Sequence, residues 1–147
     1  MIPRLLEQAV SERLTSLRKV ILLLGARQVG KTTLLRAMES RFVDEGKRVR
    51  YLNCDVEEER RAINTTARTV LDRLVADMDV VMVDEAQRLD DPGLTLKILY
   101  DLYPHLIVIA TGSSSFELRN RVTDAMTGRY LDFTVFPLSL SEVLAAA

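Results

Sequence analysis

The sequence predicts an α/β fold, a three-layer sandwich in which helices cover both faces of a mainly parallel sheet. Short apolar runs alternate with amphipathic segments along the 147 residues, and this alternation is typical of strands joined by crossover helices. The runs at 20–24 and 80–83 are apolar at every position, as expected for strands buried on both faces. No repeat, linker or low-complexity tract interrupts the pattern, so residues 1–147 are expected to form one domain.

Four strands are predicted from apolar runs and a fifth from alternation. In the fifth, Leu131, Phe133 and Val135 alternate with more polar neighbours, which is the period of a half-buried strand. The predicted strands are 19–24, 48–53, 79–83, 106–110 and 129–135.

Apolar residues at helical spacing predict the helices between these strands. The helix after the first strand has four such residues on one face, and Gly46 is expected to end it. Asp91-Pro92 is typical of a helix start, and Pro104 should follow the end of that helix. The predicted helical segments are 5–17, 31–45 (with Leu34, Leu35, Met38 and Phe42 on its face), 70–78 and 92–103, and the charged residues 56–64 form an exposed turn or short helix.

A glycine loop follows the first strand. Residues 25–33 match the pattern G-x-x-x-x-G-K-[ST] between a buried strand and a helix, which is the setting of a phosphate-binding P-loop. Backbone N–H groups at the helix start attract anions, Lys31 would reach the β- and γ-phosphates, and the Thr32 hydroxyl would ligate Mg²⁺. The candidate nucleotide-binding residues are Gly25, Ala26, Arg27, Gln28, Val29, Gly30, Lys31, Thr32 and Thr33.

Two carboxylates end the third strand. Asp84 should lie at the carboxyl edge of the sheet, where ligands of parallel sheets collect, and would hold Mg²⁺ together with Thr32. Glu85 would orient and deprotonate a water that attacks the γ-phosphate, since phosphoryl transfer needs mainly positioning and charge neutralisation. The alternative is a solvated acidic turn, and the P-loop about fifty residues earlier makes that alternative the weaker one.

A serine-rich segment, 111–115, is expected to form a turn directly after the fourth strand. Ser113 is the candidate for contact with the γ-phosphate, a sensor-1 role. Ser114 or Ser115 would instead be a helix cap.

Composition limits the other functions. A net charge of −1 gives no support for a general nucleic-acid surface, and Lys47, Arg48 and Arg50 are expected on a solvated edge. The single cysteine, Cys54, excludes an internal disulfide and suits a reducing compartment. We expect its thiol to be buried or half-buried. His105 is expected in a loop away from the carboxyl ends of the strands. Neither a membrane span nor a secretory signal is recognised, so a cytoplasmic protein is expected.

Four motifs in one order resemble the prokaryotic AAA-type ATPases that are usually fused to a C-terminal domain of unknown function. They are GARQVGKTTLL (25–35), DEAQ (84–87), ATGSSS (110–115) and GRY with FPLSLSEVL (128–144). In that family the loop commonly reads GPRQVGKTT, so Ala26 replaces a proline. The resemblance covers about residues 18–145 and implies the strand order 5-1-4-3-2, with ATP and Mg²⁺ as cofactors; the absence of an N-K-x-D motif also favours adenine weakly.

The resemblance also implies a longer protein. Family members continue past the segment that ends here at 145–147, so the helical lid and its second-sensor arginine are expected to be absent, and the chain is interpreted as an N-terminal ATPase core. The expected partners are ATP, a missing C-terminal domain or further copies in a homo-oligomer, and no membrane.

A catalytic arginine is the least determined feature. Arg129, in the Gly-Arg pair of the family pattern, is the first candidate, ahead of Arg119 and Arg121. The alternative is that all three form surface ion pairs, which contribute little. Arg27 and Gln28, inside the glycine loop, contact phosphate, contact a neighbouring protein or shape the loop, and these alternatives stay open. No role is assigned to Gln87.

Three functions follow from these residues. The first is Mg²⁺-dependent ATP hydrolysis, with Lys31, Glu85, Ser113 and Arg129 as catalytic residues. The second is a nucleotide-dependent binding switch with little intrinsic hydrolysis. A small-molecule kinase is the weakest, because the sequence shows no acceptor-binding segment or arginine-rich lid.

Overall fold

The structure, a computed structural model, describes residues 19–25, 30–113 and 128–134. The five strands are β1 (Val20–Gly25), β2 (Val49–Asn53), β3 (Val80–Asp84), β4 (Ile107–Ser113) and β5 (Tyr130–Thr134). The helices are α1 (Lys31–Asp44), α2 (Glu57–Ile63), α3 (Arg68–Val75) and α4 (Pro92–Leu102), with a short 3₁₀ helix over Ala86–Arg88.

The strands form one sheet in the order β2-β3-β4-β1-β5, and every neighbouring pair is parallel. The predicted order is therefore confirmed. β1 lies between β4 and β5, so the residue that ends β1 is next to the end of β4, with Gly25 opposite Ser113.

Apolar side chains cover both faces of the sheet, because residues of one strand point alternately to either side. On one face, Ile21, Leu23 and Met82 pack against α1 through Leu34, Leu35, Met38 and Phe42, the residues predicted to share a helix face. On the other face, Leu22, Leu24 and Val83 pack with residues of α2, α3 and α4. This is the predicted three-layer sandwich.

Several predicted boundaries hold within a residue or two. α1 ends at Asp44, and Gly46 follows in the left-handed region with φ of 84°, where glycine is favoured. α4 begins at Pro92, and the Asp91 side chain accepts a hydrogen bond from the backbone N–H of Leu94. The charged segment is a short helix, α2, and Met78 lies beyond the end of α3.

The prediction for 111–113 was wrong. These residues do not form a turn but are the last three of β4, paired with Leu23, Leu24 and Gly25 of β1. A strand next to a long buried strand can keep pairing through polar residues, because the backbone makes the hydrogen bonds. The predicted helix over 5–17 lies outside the described residues. Among the helices that the structure describes, none combines the length and the apolar character needed to cross a membrane.

Candidate functional site

The carboxyl ends of β1, β3 and β4 meet the amino end of α1 at one edge of the sheet. Gly30 precedes α1 with φ of 90° and ψ of 21°, a left-handed conformation that glycine adopts without a Cβ clash. A pocket of about 260 Å³ opens at this junction and is lined by Gly30, Lys31, Thr32, Thr33 and Glu85. Of the predicted loop residues, 26–29 lie outside the described part of the chain.

Lys31 is only 5% exposed, although its side chain carries a charge. Its ammonium donates to the carbonyl oxygens of Gly25, at 2.7 Å, and Gly112, at 2.9 Å. Burial lowers the pKa of Lys31, because desolvation penalises the charged form, while the nearby charges of Glu85 and Asp84 act in the opposite direction. The ends of β1 and β4 therefore hold a partly desolvated cation beside the pocket.

Asp84, the last residue of β3, is 1% exposed and is surrounded by hydroxyl donors. Thr32 Oγ1 donates to its Oδ2 at 2.9 Å, and the Tyr51 hydroxyl donates to the same oxygen at 2.5 Å. Thr111 Oγ1 donates to Oδ1. The structure thus brings together Thr32 and Asp84, the two predicted metal ligands.

Glu85 follows immediately, but its backbone lies in the left-handed region with φ of 58° and ψ of 49°. For a residue other than glycine such a conformation costs about 1–3 kcal/mol, and strain of this kind is concentrated at functional sites. Its backbone N–H donates to Thr111 Oγ1 at 3.0 Å, and its Oε2 accepts from Gln87 Nε2 at 2.5 Å. Thr111 therefore contacts both acidic residues.

Ser113 ends β4 beside Gly25, the first residue of the glycine loop. Its backbone N–H donates to Gln87 Oε1 at 3.4 Å, a long hydrogen bond. Ser113 thus lies at the same edge of the sheet as the pocket, and Gln87 links it to Glu85.

Arg129 is not brought to this pocket. It precedes β5, at the amino edge of the sheet, where its carbonyl accepts from the N–H of Val20 and its Nε lies 3.2 Å from Asp101 Oδ1. About six residues of a parallel strand separate this level from Gly25, or about 20 Å at about 3.3 Å per residue. Arg119 and Arg121 lie outside the described residues.

Three residues of the site were not predicted: Tyr51, Thr111 and Gln87. Tyr51 stands in the middle of β2, Thr111 was assigned to a turn, and Gln87 had no role. The only sequence signal for Thr111 was a polar residue at the end of an apolar strand. The predictions for the single cysteine and the single histidine are confirmed. Cys54 is buried, and His105 is exposed in the loop before β4.

Comparison with solved structures shows the fold. A DNA replication initiation factor is similar, with a TM-score of 0.59 and 22% identity over 92% of this chain and 46% of that one. AMPPCP-bound DnaA from Aquifex aeolicus gives a TM-score of 0.60 and 20% identity, over 97% of this chain and 48% of that one. DnaA bound to AMPPCP and single-stranded DNA gives 0.64 and 21%, over 95% and 49%. The chain therefore spans about half the length of these proteins.

Among curated proteins, no match to this chain was found. The family described as "AAA domain" matches residues 17–144, which include β1, the glycine loop, the acidic end of β3, and β4. With a P-loop, a parallel sheet of the order described and a pocket at its carboxyl edge, this match supports nucleotide binding. The chain belongs to the AAA domain family.

Proposed function

We propose that this chain binds ATP in the pocket at the start of α1 and hydrolyses it with the help of Mg²⁺. The observation that carries the proposal is the convergence of a buried ammonium, a hydroxyl–carboxylate pair and a second carboxylate on one pocket: Lys31, Thr32 with Asp84, and Glu85. Two of the similar structures hold AMPPCP, an adenine nucleotide analogue, which supports the choice of ATP.

Phosphate binding would use the loop and the start of α1. Backbone N–H groups at a helix amino end have no intrahelical partner and favour anions. Gly25 and Gly30 bound the loop, and we assign Ala26, Arg27, Gln28 and Val29 to it as nucleotide-binding residues together with Thr32 and Thr33. Lys31 already lies at the pocket and would move its ammonium from the two carbonyls to the phosphates.

The donor set near Asp84 fits Mg²⁺, which prefers oxygen ligands and keeps several waters. Thr32 Oγ1 and Oδ2 of Asp84 lie 2.9 Å apart, so a hydroxyl oxygen and a carboxylate oxygen are close enough to bind one metal ion together. When bound there, Mg²⁺ would neutralise charge on the phosphate oxygens. Thr32 and Asp84 are the residues that would hold it.

Glu85 is the proposed general base. Glu85 lines the pocket, and its carboxylate would accept a proton from the attacking water while holding that water in line with the γ-phosphate. Gln87 orients the Glu85 carboxylate, and Thr111 fixes its backbone. Ser113, at the end of the neighbouring strand, is proposed to contact the γ-phosphate.

Arg129 would take part only if it came from a neighbouring copy, because in its own chain it lies at the opposite edge of the sheet. We therefore propose that the chain is the ATPase core of a longer protein that acts in the cytoplasm and completes its site through another copy or a further domain. The family match and the half-length coverage of the similar structures support the part of this proposal that makes the chain the core of a longer protein.

Phosphate release from MgATP tests the proposal, with nucleotide binding measured separately by a fluorescent ATP analogue. Lys31→Ala should abolish binding, whereas Glu85→Gln should bind as wild type and release phosphate at least about a hundredfold more slowly, the usual contribution of a general base. Glu58→Gln, on the exposed side of α2, is the matched control and should change neither quantity. Equal turnover of Glu85→Gln and wild type would remove Glu85 from the base role.

A nucleotide-dependent switch is the second candidate, and one contact favours it. The Gln87 amide is bound to Oε2 of Glu85, which leaves the carboxylate less available to a water. Tight ATP binding with almost no phosphate release, unaffected by protein concentration, would support the switch over the hydrolase.

A further inference from the structure

The Tyr51 side chain lies on the same face of the sheet as the proposed metal ligand Asp84. Tyr51 is opposite Met82 in the β2–β3 register, and both pack in the cluster under α1. Asp84 is two residues after Met82, so its side chain points to that face as well. The phenol therefore reaches along the sheet to Oδ2 of Asp84, where it donates at 2.5 Å.

The positively charged side chain of Arg36 covers one face of the Tyr51 ring. The guanidinium carbon of Arg36 lies 3.5 Å from the ring centroid, a cation–π distance. Arg36 is four residues after Thr32 on α1, so the two residues share a helix face. Glu39 pairs with the Arg36 guanidinium at 2.9 Å and limits its orientation.

Two residues one turn apart on α1 thus act on one carboxylate, the first directly and the second through a neighbouring side chain. Thr32 reaches Asp84 directly, and Arg36 reaches it through the Tyr51 ring. Because Thr32 and Tyr51 share Oδ2 while Thr111 holds Oδ1, the carboxylate has little freedom to rotate. Groups that fix a metal ligand in this way commonly change metal affinity by about 10- to 100-fold when they are removed.

We infer that Tyr51, braced by Arg36, is a positioning residue that fixes Asp84 in the orientation needed to hold Mg²⁺. The inference rests on the proposed function, since it takes Asp84 as a ligand of the metal. It assigns Tyr51 no contact with nucleotide and no part in proton transfer. Loss of the Tyr51 hydroxyl should therefore change how nucleotide binding depends on Mg²⁺, and it should leave the affinity for nucleotide without metal unchanged.

The test uses Tyr51→Phe, which removes the hydroxyl but keeps the ring that Arg36 covers. Binding of a fluorescent non-hydrolysable ATP analogue is followed as Mg²⁺ is raised from a chelated baseline. We expect the half-saturating Mg²⁺ concentration to rise about tenfold, with nucleotide binding in EDTA unchanged. Tyr103→Phe is the matched control, because that hydroxyl also donates to an aspartate, Asp72, away from the site, and its Mg²⁺ midpoint should equal that of wild type.

Arg36→Met gives a second measurement that does not depend on how well Tyr51→Phe folds. Arg36 is largely exposed on α1, and methionine keeps much of its apolar stem while removing the cation. The Mg²⁺ midpoint should rise by about threefold, in line with a partly exposed cation–π contact. Melting temperatures establish that each variant is folded before titration.

The outcomes separate this inference from the proposed function. A Tyr51→Phe midpoint equal to or lower than that of wild type, with Lys31→Ala still abolishing binding, would overturn the positioning role alone. If wild type failed to bind the analogue, or bound it with no response to Mg²⁺, the proposed function and this inference would fall together.

Discussion

Asp84 and Glu85 are adjacent in sequence but lie in different environments. Asp84 is buried at the end of β3. It accepts hydrogen bonds from three hydroxyl groups, those of Thr32 on α1, Tyr51 on β2 and Thr111 on β4. Glu85 is half-buried, is strained and lines the pocket. A fully hydrogen-bonded carboxylate suits a fixed ligand, and a pocket-lining one suits contact with a water. Two acids of one motif can thus have separate roles, because the chain turns between them.

Gln87 offers a residue-scale test of that separation. Gln87→Leu keeps the volume of the side chain but removes the amide that binds Glu85 Oε2 and the Ser113 N–H. If Gln87 orients the base, phosphate release should fall about tenfold while ATP affinity stays within twofold of wild type. Asn64→Ala, which removes the acceptor for the backbone N–H of Asp90, is the control and should change neither quantity. Faster release by Gln87→Leu would show that Gln87 restrains Glu85 and would favour the switch.

Cys54 reports on burial next to the site. Desolvation by burial raises the pKa of its thiol to about 12, and the charge of Asp84 adds to the shift. At pH 8 the native protein should hold about a thousandfold less thiolate than an ordinary cysteine, so a thiol reagent should label it slowly. Labelling in urea, where the thiol is exposed, is the control, and rapid labelling of the folded protein would contradict the burial.

The same shift has a stability consequence. Between pH 9 and 12 the thiol of the unfolded protein ionises near the ordinary cysteine pKa of 9.0, while the folded one keeps its proton. The folded state then binds more protons, so its stability should be complete below pH 9 and fall as pH rises through this window.

At the scale of elements, local signals set the starts of helices more firmly than the ends of strands. Asp91 and Pro92 begin α4 as predicted, because an N-cap carboxylate and a fixed φ act within one turn. β4 runs three residues further than predicted, because its end depends on pairing with β1. Ser113 consequently enters the site from a strand and not from a flexible turn.

The N-cap of α4 should contribute measurably to the stability of the protein. Asp91→Ala removes the acceptor for the Leu94 N–H and should lower the free energy of unfolding by about 1 kcal/mol. Asp44→Ala is the matched control, since Asp44 is an exposed residue at the end of α1, and it should change stability by less than about 0.5 kcal/mol. Urea unfolding measures both, and equal stabilities would show that the cap contributes nothing.

At the scale of the whole molecule, parallel strands give the sheet two chemically different edges. The carboxyl edge carries Gly25, Asp84 and Ser113, whereas the amino edge carries the Arg129–Asp101 ion pair. These edges lie about 20 Å apart at about 3.3 Å per residue. A catalytic arginine at the amino edge can serve only the site of another copy.

The effect of Arg129→Ala should therefore depend on protein concentration. At low protein concentration it should leave nucleotide affinity and phosphate release within twofold of wild type. If a neighbour completes the site, the wild-type specific rate should rise with concentration and the variant's should not, because an arginine finger contributes about 10³- to 10⁵-fold. Asp101→Ala, which breaks the same ion pair without removing the arginine, is the control. A loss of nucleotide affinity at low concentration would contradict the placement of Arg129.

The sequence alone determined the features that depend on neighbours along the chain. Runs of apolar residues, the glycine loop and the cap before Pro92 are local patterns, so α1, α4 and the strands, apart from the end of β4, were predicted close to where they lie. The same patterns selected Lys31, Thr32, Asp84 and Glu85 as candidate site residues, and the structure brings these four residues together. The strand order came from the family resemblance, and the structure confirms it.

Which side chains surround Asp84 and Glu85, and which never reach them, depends on how the strands and helices pack. Tyr51 on β2 and Thr111 on β4 meet at Asp84, and Arg36 on α1 covers the Tyr51 ring, because parallel register and one helix face bring together residues that are distant in sequence. Arg129, one residue from β5, is carried to the far edge by the same register. Sequence spacing contains no measure of that distance, because strand pairing and packing are set between segments and not within them.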